Sequence, residues 1–145
     1  MVGSVYQPEI RSVHVPVFTS ESFRRNVEFQ LTEAVHKQIQ NRTPYRLVNG
    51  PLAESRLTGR ILDIRKDVLG ESAFDDPREL QLLLLVEVTW QDLRNGRVLA
   101  QKRVPVQLSS QSSFAPEIGQ SLATGMQHAI DQLARQIVDM MEMPW

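Results

Sequence analysis

The chain contains no cysteine. Disulfides, thiol nucleophiles and thiolate metal ligands are thereby excluded. The compartment stays open, because a cysteine-free domain suits an oxidising periplasm and a reducing cytosol equally. Long apolar runs are also missing. The longest, Leu82 to Val86, is strand-sized and far below the roughly 18 residues of a membrane-spanning helix. Charge of one sign is missing too: the net charge is −1, so there is no global pull toward nucleic acid or an anionic bilayer, and no nucleic-acid partner is expected. The three histidines, His14, His36 and His128, fall on three separate elements and lack metal-ligand spacing. No nucleophile elbow, phosphate-cradling glycine loop or dinucleotide fingerprint occurs, so no catalytic residue, metal or cofactor is expected. No signal peptide is legible. The segment Met1 to Pro8 runs almost directly into the first strand, a start compatible with a trimmed leader and with a short natural one.

What is present describes one domain, residues 1–145, with residues 1–9 as a loose arm. A chain of 145 residues buries roughly 70% of the surface that its unfolded form exposes, enough for a single core. Val13, Val15 and Val17 alternate with polar or kinked positions and predict a strand over about Ile10 to Phe18. Phe23, Val27, Leu31, Val35 and Ile39 share one helix face. They predict a helix from about Ser22 to Arg42, with Ser20 or Ser22 as its N-cap. Thr43-Pro44 ends it, since the residue before proline avoids the α region. A second strand, Tyr45 to Val48, closes a βαβ crossover and stops at Asn49-Gly50-Pro51.

A third strand starts near Ser55. Its apolar phase passes from Leu57, Gly59 and Ile61 to Leu62 and Ile64, which predicts a β-bulge or a wrap over an edge. Gly70 to Arg78 reads as loop. The fourth strand carries Leu80, Leu82, Leu84, Val86, Val88 and Trp90 on one face, with Leu83 and Leu85 on the other, and predicts cover on both sides of its middle. Asn95-Gly96 marks a hairpin turn. The fifth strand runs from about Val98 to Leu108, and Pro105 assigns it to an edge or a bulge. Ser109 to Pro116 reads as a polar linker. A long helix from Ala115 or Pro116 to Met141 carries an unbroken apolar stripe that includes Leu122, Ile130 and Leu133. The fold class is α+β: a two-layer sandwich with both helices on one face of a mixed four- to five-stranded sheet.

Few residues offer chemistry. Asp75-Asp76-Pro77 is turn-forming, although a small hydrolase using Asp75 or Asp76 is an alternative. Arg60, Arg65, Lys66, Arg97, Lys102 and Arg103 put positive charge on the outer strands. The plain reading is protection of exposed edges; the sharper one is a strip binding phosphorylated ligands, because arginine grips phosphate with a two-pronged fork. Met140, Met141, Met143 and Trp145 read as core filler, with Trp145 as an alternative partner anchor.

The segments Val13-His-Val-Pro-Val-Phe18, Phe29-Gln-Leu-Thr-Glu-Ala34, Arg42-Thr-Pro-Tyr-Arg-Leu-Val48 and Leu57-Thr-Gly59 together resemble the lipopolysaccharide-assembly lipoprotein family, LptE. The hairpin Val86-Glu-Val-Thr-Trp-Gln-Asp-Leu-Arg-Asn-Gly96 adds to the likeness. It covers about residues 10 to 140 and runs nearest to the planctomycete-type branch. The resemblance implies an outer-membrane lipoprotein on the periplasmic side, with no enzymatic activity. It implies an LptD-type β-barrel and lipopolysaccharide as partners, and a role in plugging that barrel. The family's anchor is an acylated N-terminal cysteine, which this chain does not carry. The family's lipopolysaccharide-contacting residues have no one-to-one match here. If the likeness holds, the six cations should face away from the helices, beside Leu83 and Leu85. The rival reading is another envelope lipoprotein domain, similar to the TolB amino-terminal or curli-secretion domains, which share the strand–helix–strand opening.

Overall fold

The computed structural model describes residues 10–21, 27–69, 78–112 and 115–142, with side chains described outside 66–69, 78–80, 108–112 and 115–124. The elements in chain order are β1 (Ser12–His14), β2 (Thr19–Ser20), α1 (Val27–Arg42), β3 (Arg46–Leu47), β4 (Ser55–Leu69), β5 (Arg78–Asp92), β6 (Val98–Ser112) and α2 (Ala115–Met140). The six strands form one mixed sheet in the order β3-β1-β4-β5-β6, with β2 also paired to β4. β1 is parallel to β3 and β4, and β5 pairs antiparallel with β4 on one side and β6 on the other. The βαβ crossover read from the sequence is therefore β1-α1-β3. Both helices lie on one face of the sheet and meet each other there.

The first predicted strand is two short pieces rather than one, which brings the strand count to six. Both pieces pair with β4, His14 opposite Arg56 and Thr19 opposite Arg60. Five steps on one strand thus answer four on the other. The surplus sits at Val15 to Phe18, where Pro16 has no N–H for the ladder. Helix α1 satisfies the groups released by the break: the Phe18 N–H donates to Thr32 Oγ1 at 2.9 Å, and His36 Nε2 donates to the Val15 carbonyl at 2.9 Å. A buried backbone group without a partner would cost about 1–3 kcal/mol, so these two bonds make the interruption tolerable.

The expected bulge is present. Ile61 pairs with Val86 and Asp63 with Leu85, and Leu62 has no partner between them. β6 is an edge, as Pro105 indicated. It continues to Ser112, taking in half of the predicted linker, because Ser109 to Ser112 pair with Gln81 to Arg78. The start of helix one (22–26) and the loop at 70–77, including Asp75 and Asp76, lie outside the described residues.

The core fills the space between helices and sheet. Leu31, Val35 and Ile39 of α1, Ile130, Leu133, Ile137 and Val138 of α2, and Leu57, Leu84, Val86 and Val88 of the sheet are all within 1% of full burial. Leu122, expected in the same stripe, lies outside the described side chains. Phe18 packs its ring onto Gly59, where an added Cβ would lie 2.5 to 2.7 Å from three ring carbons. At one end of the core, Trp90 tilts against Tyr45, and its Nε1–H donates to Ser55 Oγ, whose own hydroxyl donates to the Ser12 carbonyl. A buried indole finds its partner in this way without water.

Candidate ligand and partner face

Residues directly opposite in an antiparallel ladder share a face. The register therefore sorts the side chains of β4, β5 and β6. Leu82, Leu84, Val86, Val88 and Trp90 turn toward the helices and are buried. Gln81, Leu83, Leu85, Glu87 and Thr89 turn the other way and are half-buried. Among the described elements, no helix lies on that second face. Its middle was expected to be covered on both sides; among the described elements only strand neighbours flank Leu83 and Leu85, which are half-buried.

Three of the rows that cross this open face lie near its middle. Thr58, Thr89 and Gln101 form one, and Asp63, Leu85 and Pro105 another. Between them runs a charged row. Arg60 lies opposite Glu87, and Glu87 opposite Arg103. Glu87, 25% exposed, takes Arg103 Nε at 3.2 Å and Arg60 Nη2 at 3.6 Å, and Arg60 also reaches Glu21 at 3.6 Å. Signs alternate from Glu21 to Arg103. Farther along, Arg65 stands opposite Leu83 and pairs with Asp63 at 2.9 Å. Beside the charged row is a shallow hollow of about 310 Å³ lined by Pro16, Val17, Thr19, Thr58, Arg60 and Glu87.

The six cations singled out in the sequence do not form one strip. Arg60, Arg65 and Arg103 share the open face. Lys102 is opposite Val88 and Lys66 opposite Leu82, both positions on the helix side of the sheet; Lys102 is nonetheless exposed, and the Lys66 side chain is outside the described ones. Arg97 sits in the β5–β6 turn. Glu87 was not singled out in the sequence. Its signal was present, since it falls in phase with the open face, but the register that sets it between Arg60 and Arg103 cannot be read from a single strand.

The turn end is held by a separate polar cluster. Arg94 donates to both Asp92 carboxylate oxygens, from Nε at 3.1 Å and from Nη2 at 2.9 Å, and its Nη1 lies 3.5 Å from Glu54. The Arg94 hydrogen bond holds the buried Asp92 carboxyl below the ordinary aspartate range, against the upward push of burial. On the far side of the helices, Arg42 of α1 bridges to Asp139 and Glu142 and donates to the Arg135 carbonyl. These clusters tie elements together.

Among the described residues, no group of three or more His, Asp or Glu side chains gathers as a metal site would require. Nor is any described helix long and apolar enough to cross a membrane. The arrangement offers a mixed polar and apolar sheet surface with fixed charges, suited to contact rather than to bond making.

A family model described as LptE, lipopolysaccharide-assembly, matches residues 10–141. No curated protein matches the chain by sequence. Solved structures share its fold. A protein from Xanthomonas campestris is 13% identical, with 95% of this chain and 90% of that one covered at a TM-score of 0.66. A minor lipoprotein from Acinetobacter baumannii is 14% identical, with 92% of each chain covered at 0.54. The rare lipoprotein B of Shewanella oneidensis is 12% identical, with 87% and 91% covered at 0.61. At such identities the likeness speaks for the fold alone.

Proposed function

Because the chain belongs to the lipopolysaccharide-assembly family LptE, we propose that it acts by plugging an LptD-type β-barrel and assisting lipopolysaccharide insertion. Membership itself establishes the coarser role: a non-enzymatic component of lipopolysaccharide assembly, in a family of outer-membrane lipoproteins. The finer reading rests on the open sheet face. The interior of a transmembrane barrel is polar. A plug needs a surface of amides, hydroxyls and already paired charges, which loses little on leaving water. Thr58, Thr89, Gln101 and the Arg60–Glu87–Arg103 row are such a surface.

Lipopolysaccharide combines phosphates with acyl chains, so its ligand surface needs cations beside apolar groups. Arg65 and Arg103 are about two-thirds exposed and flank Leu83 and Leu85 in the ladder. We assign the phosphate contacts to these arginines and to Arg60. Lys66, Lys102 and Arg97 take the lesser part, because the register puts two of them on the other face and the third in a turn.

Two measurements test the reading. Affinity capture with the LptD-type barrel of the same bacterium should retain the wild-type chain; failure to retain it would remove the plug. Binding of lipid A to single charge reversals should separate the two faces. Arg103→Glu should weaken binding and flatten its salt dependence, and Lys102→Glu should leave both near wild type. Equal loss in the two variants would point to net charge rather than to a site.

A further inference from the structure

The chain contains the dipeptide Asn-Gly twice, at Asn49-Gly50 and at Asn95-Gly96. Both glycines have φ of 75°, and both asparagines are exposed. Sequence, accessibility and glycine conformation are thus matched, and what differs is hydrogen bonding. In the β5–β6 turn, Asn95 Oδ1 accepts the Arg97 N–H at 2.9 Å, and the Gly96 N–H donates to the Asp92 carbonyl at 2.9 Å. Asn49 precedes the 3-10 turn Gly50–Leu52, and its side chain makes no capping bond there. Among the described residues, neither the Asn49 side chain nor the Gly50 N–H has a hydrogen-bond partner. A Cβ built on Gly50 meets nothing within 4 Å, so the segment has room to turn.

We propose that Asn49 is a site of spontaneous covalent modification, deamidation through a cyclic imide, and that the fold protects Asn95 from the same reaction. The Gly50 nitrogen, losing its proton to hydroxide, attacks Asn49 Cγ. A new N–C bond forms, the bond to the side-chain amide nitrogen breaks, and ammonia leaves. Water then opens the imide at either carbonyl, leaving aspartate or isoaspartate; the net change is water consumed and ammonia released. Glycine favours the step because no Cβ obstructs the approach. At Asn95 the attacking nitrogen has its proton committed to Asp92, and the electrophilic side chain is held by Arg97. Reaction there must wait for the turn to open.

The consequence at residue 49 is local. Val48 is the last backbone donor from this strand end, to the Val13 carbonyl at 3.0 Å. An isoaspartate at 49 adds a methylene to the main chain, and either product adds a negative charge, between β3 and the turn leading into β4.

The test is incubation of the folded protein at mildly alkaline pH, with peptide mass spectrometry over time. A tryptic peptide, residues 47–56, reports Asn49, and a chymotryptic peptide, residues 94–99, reports Asn95. Conversion at Asn49 should run at least about tenfold faster than at Asn95, the suppression expected when reaction requires local opening of an ordered turn. In concentrated urea the two rates should converge. Equal rates in the folded protein, faster conversion at Asn95, or an Asn49 that stays intact when folded yet converts in urea would each overturn the proposal.

Discussion

The two faces of β5 differ in what they ask of their residues. On the helix side, Leu84, Val86, Val88 and Trp90 are at most 2% exposed and belong to a core shared by both helices and the sheet. On the other side, Leu83, Leu85, Glu87 and Thr89 are half-buried, and no described helix covers them. Leucine appears on both faces, so residue type does not distinguish them. One face is set by packing density and fails when a volume is wrong. The other is set by cross-strand pairs of modest energy and is free to serve a partner.

The largest expected effect tests that division. Leu84→Ala or Leu133→Ala removes a fully buried side chain and should cost about 2–5 kcal/mol through the cavity left behind. Leu85→Ala, one residue away on the open face, should cost about 1 kcal/mol or less. Urea unfolding of the three variants measures both values, and equal losses at 84 and 85 would erase the distinction.

A second change sharpens the closed side. Gly59→Val places a branched side chain where the Phe18 ring already lies. Phe18 is enclosed by the core, so its ring has nowhere to go, and overpacking should destabilise the fold by about 1–3 kcal/mol. Thr58→Val, its neighbour on the open face, should be near neutral, and thermal melts of the two variants measure the contrast.

Acid separates the polar cluster at the turn from both faces. The Asp92 carboxyl is depressed in the folded protein relative to its ordinary value of 3.8. Such a group stabilises the fold fully above that value, and the contribution fades as pH falls through the folded pKa. Denaturant midpoints should therefore drop on acidification below about pH 4. Asp92→Asn should lose part of that drop while being less stable at neutral pH.

The smallest effect is expected at the charged row. Glu87→Gln leaves Arg60 and Arg103 without their shared carboxylate. Exposed pairs of this kind contribute about 0–1 kcal/mol and are screened by salt. The melting temperature should shift little, and the shift should vanish at high salt. A large, salt-independent loss would place the row in the core's account rather than on a working surface.

Much of this was legible in the sequence. Strong alternation from Leu80 to Trp90 and the stripe from Val27 to Ile39 fixed the long strand and the first helix, because burial on one side imposes a period. Even the bulge near Leu62 showed as a change of apolar phase. The split of the first strand was not legible, since it depends on Thr32 and His36 of a helix arriving to satisfy Val15 and Phe18. The candidate site suffered most. Arg103 and Lys102 are adjacent in sequence and on opposite faces in the fold, and Glu87, the shared partner of Arg60 and Arg103, emerges only when three strands are in register.

The absence of cysteine allows the working face to be probed directly. Thr58→Cys and Gln101→Cys each place one thiol, the only one in the chain, on the exposed open side of the sheet. Labelling by a soluble maleimide should be fast for the isolated protein and strongly slowed in complex with the LptD-type barrel. Labelling rates that the barrel leaves unchanged at both positions would contradict the assignment of this face to the partner.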